Sequence, residues 1–393
     1  MNQLKIAWRF LLLLSICSIS ICKGQEQATT VFESGTNGYQ TFRIPAMIKS
    51  PNGSILAFCE GRINSSDDFG NINIVLKRSE DGGKTWNELQ TIVDYGNLQA
   101  GNPAPVVDYS DSNYPTGKIF LFYNTGNNHE YEIRQGKGIR EVWYKTSIDN
   151  GITWSEGVNI TLQTHLPNQP QMNSAYNFKE DWRSYANTPG HAIQIENGKF
   201  KGRIIVAANH SIGNPKEHFE DYFAHTFYSD DHGNSFKIGE PLCLAGSNES
   251  MVTELSNNQL MMNSRNQKGD IRARIVSKSA DGGETWEKTY FDTVLIDPVN
   301  QGSILTLGYK KMQAIIAFCN TADTRKRDHL TLRISYDEGH TWNKQFVIDK
   351  SNDPKQKDFT AYSDMILLNK HNIGILYERD NYRQIVFKSL KWH

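Results

Sequence analysis

The sequence predicts an all-β protein built as a β-propeller, and three observations carry that reading. A short turn box recurs five times along the chain, strand-like apolar runs lie between the boxes, and almost no segment shows a sustained helical period. The boxes read Ser79-Glu-Asp81-Gly-Gly83-Lys-Thr85-Trp86, Ser147-Ile-Asp149-Asn-Gly151-Ile-Thr153-Trp154, Ser229-Asp-Asp231-His-Gly233-Asn-Ser235-Phe236, Ser279-Ala-Asp281-Gly-Gly283-Glu-Thr285-Trp286 and Ser335-Tyr-Asp337-Glu-Gly339-His-Thr341-Trp342. Successive box serines are 68, 82, 50 and 56 residues apart, too irregular for a solenoid but suited to one small sheet per copy with variable loops.

Each box carries turn chemistry. Asp bonds the backbone just downstream, Gly supplies a positive φ, and Trp or Phe plugs an apolar gap, so each copy is expected to be a hairpin turn at the periphery. The runs before the first and fourth boxes, Ile72 to Arg78 and Ile271 to Lys278, alternate apolar and polar residues as half-buried strands do. Further short apolar runs at 119–123, 203–208, 304–307 and 373–377 are bounded by Gly, Asn or Asp. Such strands in units of this size fit blades whose inner loops meet on one axis.

Composition sets limits on function. The chain has 393 residues, 38% hydrophobic and 22% charged, which excludes a disordered or low-complexity protein. Lys and Arg total 42 against 43 for Asp and Glu, so no global positive field is available to hold nucleic acid. At the N-terminus, Lys5 and Arg9 precede an apolar run from Phe10 to Ile21, followed by Cys22-Lys-Gly24. Residues 1–24 are expected to be a secretory signal peptide, leaving 25–393 as one exported propeller domain in the periplasm, outside the cell or on its outer surface. Cys22 as a lipidated first residue is the alternative, disfavoured because Ile21 is larger than such sites accept. No later run is long enough to span a bilayer.

Of five cysteines, Cys59, Cys243 and Cys319 lie in the mature body, an odd number that argues for free thiols over a disulfide framework. Neither cysteines nor histidines show metal-ligand spacing, so no metal or other cofactor is expected.

Arg43 is the charge in the most unusual setting, within Thr41-Phe-Arg-Ile-Pro45, an apolar run ending in proline. A buried guanidinium there needs a fixed anion, from the protein or from a ligand. With the five boxes, Phe42-Arg43-Ile44-Pro45 resembles the opening signature of the bacterial-type exo-α-sialidase (neuraminidase) superfamily of glycoside hydrolases, known for its Asp-box or BNR repeats. The resemblance covers about residues 30 to 390. It implies a six-bladed propeller with Asp-box hairpin turns that removes terminal sialic acid from sialylated glycans.

The resemblance also implies roles. Three arginines would clamp the sialic acid carboxylate: Arg43, Arg265 in Leu260-Met-Met-Asn-Ser-Arg265, and Arg327, with Arg325 two residues away as the alternative. Glu378 matches the acid that holds the first arginine. Tyr362, in Thr-Ala-Tyr-Ser-Asp, matches the nucleophile, a neutral phenol that the substrate's own charge does not repel. Its base is expected at Glu249 and not Glu254, because Glu249 precedes Arg265 by 16 residues. The acid/base is expected at Asp68, with adjacent Asp67 the alternative, and Arg62 is expected to line the same pocket. Asn71 and Asn73 stand where the family commonly has acids. The insert at 165–190 is long between strand-like runs, and its aromatics could face the substrate. A noncatalytic propeller, and trans-sialidases or enzymes releasing anhydro-sugars, are the competing readings.

Overall fold

A computed structural model describes residues 28–393; the expected signal peptide and Cys22 lie outside the described residues. The fold is all-β, antiparallel sheets arranged as a propeller, with helical turns confined to short pieces such as Glu130–Arg134 and Thr161–Thr164.

Inner strands are buried on both faces, which explains why they read as continuous apolar runs: Thr41–Lys49 is buried at every position but its last, and Ile55–Arg62 throughout. Outer strands such as Glu287–Ile296 are mostly exposed or half-buried and carry the polar residues. The inner strands touch in a closed circuit. Thr41–Lys49 meets Gln99–Asp108, which meets Trp182–Asn187; that strand pairs with Ile204–Ile212, which meets Ser247–Glu254. Gly302–Lys310 follows, then Thr360–Asn369, which returns to Thr41–Lys49. The ring is closed by sequence ends: Thr29–Glu33 pairs antiparallel with Gln384–Lys391, so the first strand completes the last sheet.

Among the described residues, the strands hydrogen-bond into five sheets where six separate blades are expected: three of four strands, one of five and one of eight. The difference has a local cause. Ile72 pairs in parallel with Gln99, and this bridge fuses the meander from Thr41 to Val93 with the meander from Gln99 to Asn159.

The boxes sit in hairpin loops. In the first, Ser79 Oγ donates to Asp81 Oδ1 (2.9 Å) and accepts from the Gly83 amide (2.8 Å), while Asp81 accepts from the Thr85 amide (2.9 Å) and hydroxyl (2.7 Å). Gly83 has φ +92°, and a Cβ there would lie 2.1 Å from the Phe387 ring. Trp86 meets that same ring edge-on at 5.6 Å, so the first box locks against the sheet that closes the circle. Cys59 and Cys319 are buried free thiols, and Cys243 is exposed.

The insert departs from its expectation as a loop. Its segment Trp182–Asn187 is a strand of the inner circuit, and Ser184, Tyr185 and Ala186 on it line the central cleft. Of its polar residues Ser184 faces that cleft, whereas Arg183 bonds Asp181 and Asn214.

Candidate active site

Arg43 is aimed by a break in strand pairing. The register between Thr41–Lys49 and Ile55–Arg62 shifts between Arg43 and Ala46, and Ile44 adopts φ +60°, a costly conformation for a β-branched residue. The distortion turns the Ile44 amide and the Arg43 guanidinium toward one carboxylate. Glu378, fully buried, accepts from Arg43 Nε (2.7 Å), from the Ile44 amide (2.9 Å) and from the Tyr362 amide (3.1 Å). Burial alone would lower the Arg43 pKa, but the Glu378 charge outweighs it and raises it, so the guanidinium stays charged.

The Tyr362 amide thus shares an anchor with Arg43. Its hydroxyl donates to Glu249 Oε1 at 2.5 Å and accepts from Arg265 Nη1 at 3.0 Å, while the same Nη1 donates to Glu249 Oε2 at 2.7 Å. The three groups form a closed triangle. Burial, then the Glu249 charge, pushes the Tyr362 pKa up against the opposing pull of Arg265, Arg327 and Arg43, so the phenol is neutral and holds its proton in the hydrogen bond to Glu249. The Arg265 Nε is buried without a partner.

Arg327 completes the group. Its Nη1 donates to the Tyr382 hydroxyl at 3.0 Å, and its Cζ lies 5.7 Å from the Tyr362 ring centroid, on a ring that Arg43 approaches at 5.4 Å. Around Tyr362, three guanidiniums face two carboxylates, Glu249 and Glu378, which leaves one positive charge for an anion from outside. Arg325, by contrast, is exposed on its loop, and its amide bonds Asp323. Glu254 stands at the far end of the Glu249 strand, where it accepts from the Glu196 and Asn197 amides.

The remaining predicted residues meet in the same cleft, a cavity of about 260 Å³, room for one sugar-sized group more than an extended chain. Arg62, buried, donates to Glu60 Oε2 (2.8 Å) and the Ser66 carbonyl (2.6 Å) and pairs with Asp68 Oδ1 at 2.7 Å. Asp68 lines the cleft with its side chain 82% exposed; Asp67 is exposed beside it and does not line the cleft. Crowding by the cleft walls would raise the Asp68 pKa, but Arg62, with Arg43 behind it, outweighs this and holds the carboxyl below its ordinary range.

Sequence reasoning missed Arg140, buried in the cleft wall and bonded to Gln99, and Glu130, which accepts from Ser184 Oγ (3.0 Å) and from the Tyr222 hydroxyl. Arg140 heads the half-buried strand Arg140–Ser147, and with Glu141 beside it and Lys137 just before it, it reads in the sequence as an ordinary surface charge. None of the residues lining the cleft belongs to a box. Among the described residues, Asp108, Asp111 and His232 could gather around a cation, but Lys118 sits 3.0 Å from Asp111 and His232 bonds Asp108 at 2.8 Å, so the group is satisfied by its own members.

Residues 53–375 match the family described as BNR repeat-like domain. The chain is 31% identical over 367 residues to a sialidase of Micromonospora viridifaciens, covering 88% of this chain and 51% of that one. A sialidase of Bacteroides fragilis is 26% identical over 387 residues, covering 92% and 64%. Among solved structures, a Hadza microbial sialidase superposes with a TM-score of 0.76 at 25% identity, over 93% of this chain and 68% of that one. The chain thus spans between half and two thirds of the length of these two sequence relatives. With a family match over most of its length, the chain belongs to the family described as BNR repeat-like domain.

Proposed function

We propose that this protein is a retaining exo-α-sialidase, a glycoside hydrolase that removes terminal sialic acid from glycoproteins, glycolipids or oligosaccharides. The single observation that carries this reading is the Tyr362–Glu249–Arg265 triangle beside a one-charge surplus of guanidinium. The sugar it suits bears a carboxylate on its anomeric carbon. Arg43, Arg265 and Arg327 take that carboxylate, and Arg62 contacts the sugar or orients the Asp68 loop.

In the first step, protonated Asp68 gives its proton to the glycosidic oxygen as the bond to the anomeric carbon breaks. Tyr362 Oη attacks that carbon while its proton passes to Glu249, giving a tyrosine-linked glycosyl enzyme. In the second step, Asp68 as carboxylate takes a proton from water, the water attacks the anomeric carbon, and Glu249 returns its proton to the departing Tyr362. Two displacements retain configuration. Asp68 must be protonated to start, so its pairing with Arg62 has to be relieved as the substrate enters. The substrate's negative charge and the exclusion of water by the leaving group both push its pKa in that direction.

The same reading counts the eight-stranded sheet as two blades, which makes six, takes residues 1–24 as an export signal and 25–393 as the catalytic domain, and needs no cofactor. It is tested by proton NMR of the purified protein with sialyllactose, beside Tyr362→Phe and Asp68→Ala. Early release of α-configured sialic acid, lost in both variants, is expected. An early β-anomer would overturn retention, undiminished Asp68→Ala activity would move the acid/base to Asp67, transfer to lactose would make the enzyme a trans-sialidase, and an anhydro product would make it an anhydro-sugar-releasing enzyme.

A further inference from the structure

We propose that Tyr382 is a positioning residue that sets the spacing of Arg43 and Arg327 and so gives the cleft its preference for a carboxylate; this rests on the sialidase reading above. Tyr382 lies on the turn between Asn372–Arg379 and Gln384–Lys391, outside every role so far described. Its ring is the face on which the Arg43 guanidinium rests, with Cζ 4.1 Å from the centroid, and its hydroxyl oxygen accepts from Arg327 Nη1 at 3.0 Å. The same ring packs on Ile44, Ala361 and Tyr362, the residues flanking the first arginine and the phenol that sits on Glu249.

One side chain therefore touches two of the three guanidiniums and accepts positive charge from each by a different surface, the ring face for one and the oxygen for the other. The asymmetry of the arginines makes this contact matter. Arg43 is fixed by Glu378 and Arg265 by Glu249, whereas Arg327 pairs with no carboxylate among the described residues. Its one side-chain hydrogen bond is to Tyr382. Without the phenol oxygen, a long side chain beside two like charges keeps only its distant approach to the Tyr362 ring, with no hydrogen bond to fix it at the separation a planar carboxylate requires.

The turn is built to hold the ring there. Asp380, Asn381 and Tyr382 have φ of 55°, 51° and 63°, three successive residues in the left-handed region with no glycine among them. The surroundings pin this backbone: the Asp380 amide donates to the Phe359 carbonyl (2.7 Å), the Asn381 amide to Asp358 (2.9 Å), and Ser34 Oγ to the Tyr382 carbonyl (2.9 Å). A conformation this unfavourable at three neighbouring positions persists where the contacts around it over-determine it, and here they deliver one side chain between two arginines.

The test is binding, measured by calorimetry, of free sialic acid and of its methyl ester to the wild-type protein and to Tyr382→Phe and Tyr382→Leu. Phe keeps the ring and loses the acceptor; Leu loses both. The wild type is expected to prefer the acid. Tyr382→Phe should lose about tenfold in affinity for the acid and Tyr382→Leu about a hundredfold, with the ester unchanged in both. A role in folding alone would lower acid and ester together and lower the melting temperature, and that outcome, or acid affinity in Tyr382→Phe within about twofold of wild type, would overturn the proposal. A wild type that does not prefer the acid would overturn the sialidase reading and this proposal with it. A wild type that prefers the acid but turns over no sialoside would remove the hydrolase and leave the tyrosine's role to be judged by the variants.

Discussion

The rim boxes and the central cleft both rest on carboxylates that accept several hydrogen bonds, yet they are built in opposite ways. In a box the partners are neighbours: Asp81 takes the Thr85 hydroxyl across four residues of chain, and every donor around it belongs to the same turn. In the cleft the partners are remote. Glu378 reaches Arg43 across 335 residues, and Glu249 reaches Tyr362 across 113. The box is therefore complete as soon as its own turn forms, and the cleft exists only when the ring of strands has closed. The charge balance differs too. A box satisfies its aspartate internally, while around Tyr362 three guanidiniums face two carboxylates and leave one charge for a ligand.

The sharpest way to break the comparison is to remove cleft chemistry without touching the fold. Tyr362→Phe deletes the hydroxyl at the apex of the triangle and is expected to lower kcat/KM by roughly a thousandfold or more, with the melting temperature close to wild type. A matched fall in both would mean the triangle is structural. Glu378→Gln should do the reverse in part. It leaves Arg43 buried beside a neutral amide, with an expected loss of about 3 kcal/mol in stability to urea together with a raised KM. Stability within about 0.5 kcal/mol of wild type would show that Glu378 is no anchor.

The same contrast explains what could be read from the sequence. The boxes were legible because their hydrogen bonds are local, so spacing alone reveals them. Arg43 was legible because a charge in an apolar run before proline is anomalous on any reading. Its partner was not, since nothing in Tyr377-Glu378-Arg379 says which of the other strands it will face; only the family resemblance supplied that. Trp182–Asn187 was hidden by its mixed polar and apolar letters, and the fused eight-stranded sheet by a single bridge that leaves no pattern in sequence. Tyr382 gave no signal at all, because its function lies in a strained turn and two remote arginines.

Behind the cleft, a third kind of polar burial offers a gentler perturbation. His165, His210 and His225 are fully buried around Trp182 and Tyr185, with Trp182 stacked on His210 at 3.4 Å between centroids. Burial, then neighbouring ring charge, pushes His165 down to about 3, burial pushes His225 down to about 3, and burial with its neighbours pushes His210 well below the ordinary histidine range. All three are neutral in the fold and gain a proton on unfolding below pH ~6.5, so the stability they contribute is full above that pH and is lost as pH falls toward about 3. Urea unfolding at pH 6.5 and 5.5 should differ by about 1 kcal/mol per histidine. Replacing His165 by Phe should remove its share of that slope, and an unchanged slope would place the pH dependence elsewhere.

The smallest effect is the one that tests whether rim and cleft are independent. Asp281 accepts from the Glu284 amide (3.0 Å) and from the Thr285 amide (2.9 Å) and hydroxyl (2.6 Å), and Thr226 of the preceding sheet donates to the Gly283 carbonyl at 2.7 Å. Asp281→Ala should unpin that turn and, with it, one staple between neighbouring sheets, at a cost of about 1 kcal/mol, comparable to the loss of a helix cap. Because the Asp281 side chain bonds only within its own box, kcat/KM should not change at temperatures where the variant is folded. A fall in kcat/KM with stability retained would show that a rim turn reaches the cleft through the sheet it caps, and the two regions would then be one cooperative unit in function as well as in folding.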